Sequence, residues 1–373
     1  MKRRGNNEGT ITKRPDGRWM GQVSMPDGRR RTAYGKTRSE VQEKLKKLHE
    51  EAAQAARLSP GQRYRTVGDF LSMWVVAVAP SVKPNTAMFY KNYVRRYADD
   101  LLPIPPERLR AQHIQQLYAK LLERGLSSNT VRHLHAVLHR AFASGVRQGV
   151  FLQNVVELVD APRVHQQEMH TFTIDQSRQF LAAVQAERFG ALFALAISTG
   201  MRQGELLGLT WENIDLERGL VYVQRNLQWI GGVPSMQEPK TKQSRRRVFI
   251  GPLMQGFLVD HRKRQQEERE VLHWEQQQWD LAFTTLRGTP MHPSTLVHQH
   301  FDPLLQKAGL PKIRFHDLRH TAATLLLESG INPKVVSEML GHSSIGITLS
   351  LYSHVTPSMH YTASVVMDKV LRC

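Results

Sequence analysis

Two polar, proline-bearing interruptions limit what this chain can fold into. One spans residues 59–65 and contains Ser59-Pro60-Gly61; the other spans residues 161–171 and contains Pro162. Each separates stretches of regular apolar spacing, so both read as linkers. They divide 373 residues into three segments, and a chain of that length exceeds one ordinary core. Each segment is therefore read for its own periodicity.

Residues 1–58 pattern as a three-stranded sheet followed by a helix. Strands are expected over 10–12, 19–25 and 29–34. Pro15-Asp16-Gly17 and Pro26-Asp27-Gly28 are turn signals between them, because Pro presets φ and Gly accepts positive φ. Thr37 or Ser39 caps a helix to about residue 57, with Val41, Leu45 and Leu48 as its apolar stripe. Residues 66–160 are helical throughout. Thr66 is an N-cap with Asp69 three residues on, and Val67, Phe70, Leu71 and Trp74 share one face. Further helices are expected over 85–97, over 111–124, and from Ser127 or Ser128 to about 148, so a four-helix domain is the simplest fit. Residues 172–373 mix helices with a small antiparallel sheet. Their clearest strands are 220–224 and 247–250, with Gly231-Gly232 as a loop signal between them. The fold class is multidomain: a small α+β unit, an all-α unit, and a mixed, mainly-α unit. No repeat or low-complexity tract appears.

The charge points to a partner. The chain holds 51 Lys/Arg against 33 Asp/Glu, a net +18, with a pI near 10.2. DNA, RNA and anionic membrane are the polyanions such a balance favours. Residues 1–63 carry 16 Lys/Arg against 7 Asp/Glu, half of the whole excess. Arg29, Arg30 and Arg31 lie on or beside an expected strand, either as a solvated edge or as a basic sheet laid against DNA. Arg132 and Arg140 flank His133, His135 and His139 on the last helix of the middle segment. These histidines lack a metal-ligand set and read as surface or backbone-phosphate contacts. No apolar run reaches the length of a membrane span. The basic start lacks a secretory apolar stretch. Cys373 is the sole cysteine, which leaves no disulfide framework or cysteine-rich zinc site and suits a reducing cytoplasm.

Chemistry concentrates in four stretches of the last segment. They are Ser198-Thr199-Gly200-Met201-Arg202-Gln203-Gly204-Glu205, Pro239-Lys240-Thr241-Lys242, His316-Asp317-Leu318-Arg319-His320, and Leu340-Gly341-His342 running on to Tyr352. Arg202 and Glu205, three apart, share a helix face and by themselves read as a surface ion pair. His316 and Arg319 are also three apart, beside the apolar run 322–327. Burying them together calls for an anion. A phosphate would supply it, and so would Asp317 or Glu328 within the chain. Two arginines, a lysine and two histidines suit a pentavalent phosphoryl transition state, with a tyrosine hydroxyl as nucleophile. No Walker-type loop, HExxH stretch or carboxylate cluster is present, so neither metal nor cofactor is expected.

In this order the four stretches resemble the tyrosine recombinase (phage integrase) family, and the resemblance runs over essentially the whole chain. It implies an arm-site DNA-binding domain at 1–58, a helical core-site-binding domain at 66–160 and a catalytic domain at 172–373. Arg202 and Arg319 would clamp the scissile phosphate. His316 would be the acid/base histidine, and His342 would fill a histidine-or-tryptophan position that donates to a phosphate oxygen. Lys242 would protonate the departing 5′ oxygen, with Lys240 as the competing lysine. Tyr352 would form a 3′-phosphotyrosyl link, with Tyr361 as the competing tyrosine. Glu205 would orient the site. The resemblance further implies strand exchange between duplexes through a Holliday junction, a homotetramer on double-stranded DNA, DNA-bending and excisionase proteins as partners, no membrane, and the bacterial cytoplasm or nucleoid as location. The tail carrying Met359, Ala363, Val366, Met367 and Val370 at helical spacing would dock on its own domain or on a neighbouring protomer. A tyrosine-type topoisomerase and a catalytically silent DNA-binding protein are the rival readings.

Overall fold

The computed structural model describes residues 11–24, 30–56, 64–164, 169–238, 245–275, 278–342, 344–352, 365, 367–368 and 371; for residues 23–24, 30, 49–56 and 350–352 it describes the backbone alone. The chain divides into two compact units, Met1–Gln166 and Gln167–Cys373. The molecule is rich in helices, with small antiparallel sheets.

The first unit opens with an antiparallel meander of β1 (Ile11–Lys13), β2 (Trp19–Ser24) and β3 (Arg30–Gly35). Gly17, at φ +81°, closes the turn expected at Pro15-Asp16-Gly17. Helix α1 (Arg38–Ala56) follows. The Thr37 hydroxyl accepts from the Glu40 N–H at 3.2 Å, which settles the capping residue. Val41 and Leu45 press on Ala33, with Ile11, Trp19 and Leu48 around them, as one small apolar cluster.

A second, larger cluster lies within α2 (Val67–Val78), α3 (Pro84–Tyr97), α4 (Ala111–Glu123) and α5 (Ser128–Arg147). Thr66 and Asp69 form a reciprocal capping box at 3.1 and 3.0 Å, a device that contributes about 1 kcal/mol. The expected face of Val67, Phe70, Leu71 and Trp74 is buried. Phe70 meets Phe142 and Phe151 with ring centroids 6.3 and 4.9 Å apart.

The second unit is built on α6 (Ile174–Val184) and α7 (Gly190–Thr199), the latter apolar on nearly every side and buried accordingly. A short α8 (Gln203–Leu207) leads into β4 (Ile214–Asp215) and β5 (Leu220–Val223), then β6 (Asn226–Ile230), β7 (Val233–Gln237) and β8 (Arg246–Phe249). Strands β4, β5 and β8 form one antiparallel sheet, in which Val223 pairs with Arg246 and Tyr222 with Arg247. Gly231-Gly232 is not a plain loop between the two predicted strands. It is the turn of a separate β6–β7 hairpin, with φ of +61° and +86° at its two residues. Helices α9 (Pro252–Val271), α10 (Pro293–Thr295), α11 (Asp302–Lys307), α12 (Asp317–Glu328), α13 (Pro333–Leu340) and α14 (Ile345–Tyr352) complete the unit. Helix α7 packs against α6, α9 and α12, which places its C-terminus beside α12.

Candidate active site

Two left-handed glycines position two arginines. Helix α7 ends at Gly200, φ +64°, a conformation that costs glycine least. A Cβ there would also strike the Leu340 side chain. The Gly200 carbonyl accepts from Arg319 Nη1 at 2.7 Å. Helix α13 ends the same way at Gly341, φ +69°, whose carbonyl accepts from Arg202 Nη2 at 3.0 Å. The first motif is thus joined to the third and to the last, 119 and 139 residues away in sequence, by backbone carbonyls that orient guanidinium groups.

Arg202 stands at the N-cap of α8 and not within it. Its N–H and Nη1 both donate to Glu205, at 2.9 and 2.8 Å. Glu205 is 4% exposed, so the surface ion pair expected from spacing alone is a buried one. It accepts from Arg246 as well, at 3.2 and 2.9 Å. Burial pushes the Glu205 carboxyl up, but the hydrogen bonds and charges of Arg246, then Arg202, outweigh it and hold the pKa below the ordinary value. Arg246 also donates through Nε to the Met339 carbonyl at 2.6 Å, tying β8 to α13.

The second arginine is different. Arg319 is 3% exposed on α12, and its Nη2 is buried without a hydrogen-bond partner among the described residues. Both internal anions proposed for it are otherwise placed. Asp317 accepts from the Arg314 N–H, Nε and Nη2 at 2.8–3.1 Å, and Glu328 is exposed. Burial first, then Arg202 alongside, push the Arg319 pKa down to about 9, which still leaves it charged at neutral pH.

His316 is the N-cap of α12, with its ring edge-on to His320 at 5.1 Å. Part of the residue faces solvent. Loss of hydration over the rest of the ring, then His320 and Arg319, push its pKa down to about 4. His342 follows Gly341, and its Nδ1 lies 2.7 Å from the Thr348 hydroxyl. Burial, then Arg319 and Arg202, push the His342 pKa down to about 4 also. At neutral pH both imidazoles are uncharged, in a site whose permanent charges are the guanidinium groups and the Glu205 carboxylate. Tyr352 closes α14 one turn beyond Thr348, and the backbone alone is described there. Lys240, Lys242 and Tyr361 lie outside the described residues, as do Arg29 and most of the tail; Met367 is exposed.

Comparisons of sequence and of fold give the family. Residues 170–359 match the phage integrase family. A tyrosine recombinase XerC-like protein of Caldanaerobacter subterraneus subsp. tengcongensis is 33% identical over 358 residues, covering 90% of each chain. The chain belongs to the phage integrase family. It is a tyrosine site-specific recombinase of the integrase type. Its fold is similar to that of the Tn1549 transposon integrase solved with a circular intermediate DNA, at TM-score 0.68 and 23% identity, over 82% of this chain and 100% of that one. It is also similar to a lambda integrase tetramer solved on a Holliday junction, at TM-score 0.58 and 20% identity, over 94% of this chain and 96% of that one.

Within the integrase, Arg202, Glu205, His316, Arg319 and His342 come together as one group. Arg246 and Thr348 are the members that sequence reasoning missed. Arg246 sits in the run Arg245-Arg246-Arg247, where its neighbours hide it, although strand alternation singles it out: Arg246 and Val248 face inward while Arg247 and Phe249 face outward. Thr348 had no sequence signal. Among the described basic residues of the first unit, Arg132 and Arg140 are both exposed, and Arg140 also donates to the Tyr90 hydroxyl at 2.6 Å and lies over that ring. Beside β8, a cleft of about 450 Å³ is lined by Tyr222, Arg225, Arg245 and Arg247.

Proposed function

We propose that this integrase cuts and rejoins attachment-site DNA through a 3′-phosphotyrosyl bond to Tyr352, so that a mobile element is integrated or excised. The observation that carries this reading is the Arg319 guanidinium: it is buried, charged, beside Arg202, and has one nitrogen unpartnered while the nearby carboxylates are bound to other arginines. A scissile phosphate supplies the matching anion, and a second donor from Arg202 completes the clamp. The Tyr352 oxygen attacks phosphorus, with His316 taking its proton. The bond from phosphorus to the 5′ oxygen breaks, and Lys242 protonates that oxygen. His342 donates to a non-bridging oxygen. A 5′ hydroxyl from the partner duplex then attacks the phosphotyrosine and releases Tyr352, so bond energy is conserved and no ATP is needed.

The same proposal assigns the segments. Residues 1–58 bind arm sites through Arg29, Arg30 and Arg31; their concentration of basic residues supports this. Residues 66–160 bind the core site, with Arg132 and Arg140 as backbone contacts, and residues 172–373 are catalytic. Arg225, Arg245 and Arg247 extend the phosphate-binding surface beside the site. Two rounds of cleavage pass through a Holliday junction held by a homotetramer, a state in which lambda integrase was solved. The tail docks on a neighbouring protomer, DNA-bending and excisionase proteins set direction, and the reaction takes place in the cytoplasm or nucleoid.

The test uses core-site DNA from the end of the element, nicked near the crossover so that cleavage is trapped. Wild type gives a slow, protease-sensitive band on a denaturing gel, and Tyr352→Phe gives none. A band that survives in Tyr352→Phe overturns the assignment of the nucleophile.

A further inference from the structure

Several helix hydroxyls in this protein donate to the carbonyl four residues back, as Ser177, Thr199 and Thr321 do at 2.5–2.9 Å. Thr348 does otherwise. It is fully buried at 0% exposure on α14, and its hydroxyl has a single partner among the described residues, His342 Nδ1 at 2.7 Å. The direction of that bond follows from bookkeeping of protons. Were Nδ1 the donor, the Thr348 O–H would be buried with no acceptor, which costs about 1–3 kcal/mol. With the hydroxyl as donor, both groups are satisfied.

We propose that Thr348 is a positioning residue: its hydroxyl donates to His342 Nδ1 and thereby fixes the single ring proton of neutral His342 on Nε2. This rests on the reading of His342 as a phosphate donor. A neutral imidazole carries one N–H, so the choice of nitrogen decides whether the ring can donate to the phosphate at all. Among the described residues Thr348 is the one hydrogen-bond partner of His342 Nδ1, and no carboxylate or carbonyl oxygen accepts there to hold a proton on that nitrogen. The bond also ties His342 to the helix that ends in Tyr352, four residues beyond Thr348.

The tautomer is read directly in the full-length protein labelled with ¹⁵N-histidine, the His342 signals being assigned by their loss in His342→Gln. Wild type shows Nε2 protonated and Nδ1 bare, and Thr348→Val shows a mixture. Adduct formation on the nicked duplex slows about 10-fold in Thr348→Val and returns to within about 3-fold of wild type in Thr348→Ser. A proton on Nδ1 in wild type overturns the proposal. So does a Thr348→Val enzyme of wild-type rate, or a Thr348→Ser enzyme as slow as Thr348→Val, which would mark the methyl group and not the hydroxyl. If Thr348→Val fails to fold, the wild-type tautomer and the Thr348→Ser rate still decide. The tautomer is independent of Tyr352 chemistry, so failure here is distinguishable from failure of the proposed cleavage reaction.

Discussion

Arg188 and Arg319 lie in the same unit, and both are withdrawn from solvent. Arg188 is fully provided for: Nε and Nη2 donate to Glu268 at 2.8 and 2.7 Å, and Nη1 and Nη2 to the Thr284 and Thr285 carbonyls at 2.8 and 3.1 Å. Arg319 has the Gly200 carbonyl and no carboxylate, and its Nη2 has nothing. The first arginine finds its anion in the chain and holds the fold together. The second is held in place by a backbone carbonyl with no carboxylate hydrogen-bonded to it, which costs stability and, in the proposed reading, leaves binding energy for an anion from outside.

Replacing the two arginines should therefore separate activity from stability. The largest effect expected is on chemistry. Arg319→Ala should slow adduct formation by about 10²–10³-fold, as loss of one transition-state donor does, while its melting temperature falls little or rises. Arg188→Ala should lose about 3 kcal/mol in denaturant unfolding, because the half-buried Glu268 is left without its partner, yet cleave within about 2-fold of wild type per folded molecule. If both variants lost stability equally, the distinction between the two sites would be broken.

The sequence made the proposed reacting set legible and much of its support illegible. Arg202, His316, Arg319 and His342 were picked out because their types suit phosphoryl transfer and their motifs, in order, resemble the family's; each pair read alone stayed open to a structural role. The Thr66–Asp69 capping box and the helices of the first unit were legible because caps and apolar periodicity are local. The β6–β7 hairpin was missed because its residues are half-buried and do not alternate cleanly, leaving only Gly231-Gly232 as a mark. The role of Arg246 depends on Glu205 and Met339 arriving from distant parts of the chain, which spacing cannot express. Glu205 itself was noticed, but its burial was not, because an i,i+3 pair looks alike inside and outside a fold.

Smaller effects sharpen the account. Gly200→Ala places a side chain at φ +64° and against Leu340, and should cost about 2 kcal/mol while also impairing cleavage, since the Gly200 carbonyl holds Arg319. The smallest effect concerns pH. His316 and His342 have folded pKa values pushed to about 4, below the ordinary 6.5. Their neutral forms contribute stability that is fully present above pH 6.5 and is lost as pH falls through that window toward 4. Thermal melts of the DNA-free protein should show a decline from pH 6.5 to 4.5 that is shallower in His342→Gln. Glu205 and Asp317, whose pKa values are lowered from the carboxylate range, add their own losses only at lower pH.

The central claim is that Arg319 is kept for the charge of the scissile phosphate, and replacing that phosphate by a neutral methylphosphonate tests it most directly. Wild type and Arg319→Ala would be compared for adduct formation on nicked core-site duplexes that differ in this one group. The account predicts a gap of about 10²–10³-fold on the phosphate that shrinks below about 10-fold on the methylphosphonate, where there is less charge to stabilise. An equal gap on both substrates would contradict it and would make Arg319 a structural residue after all.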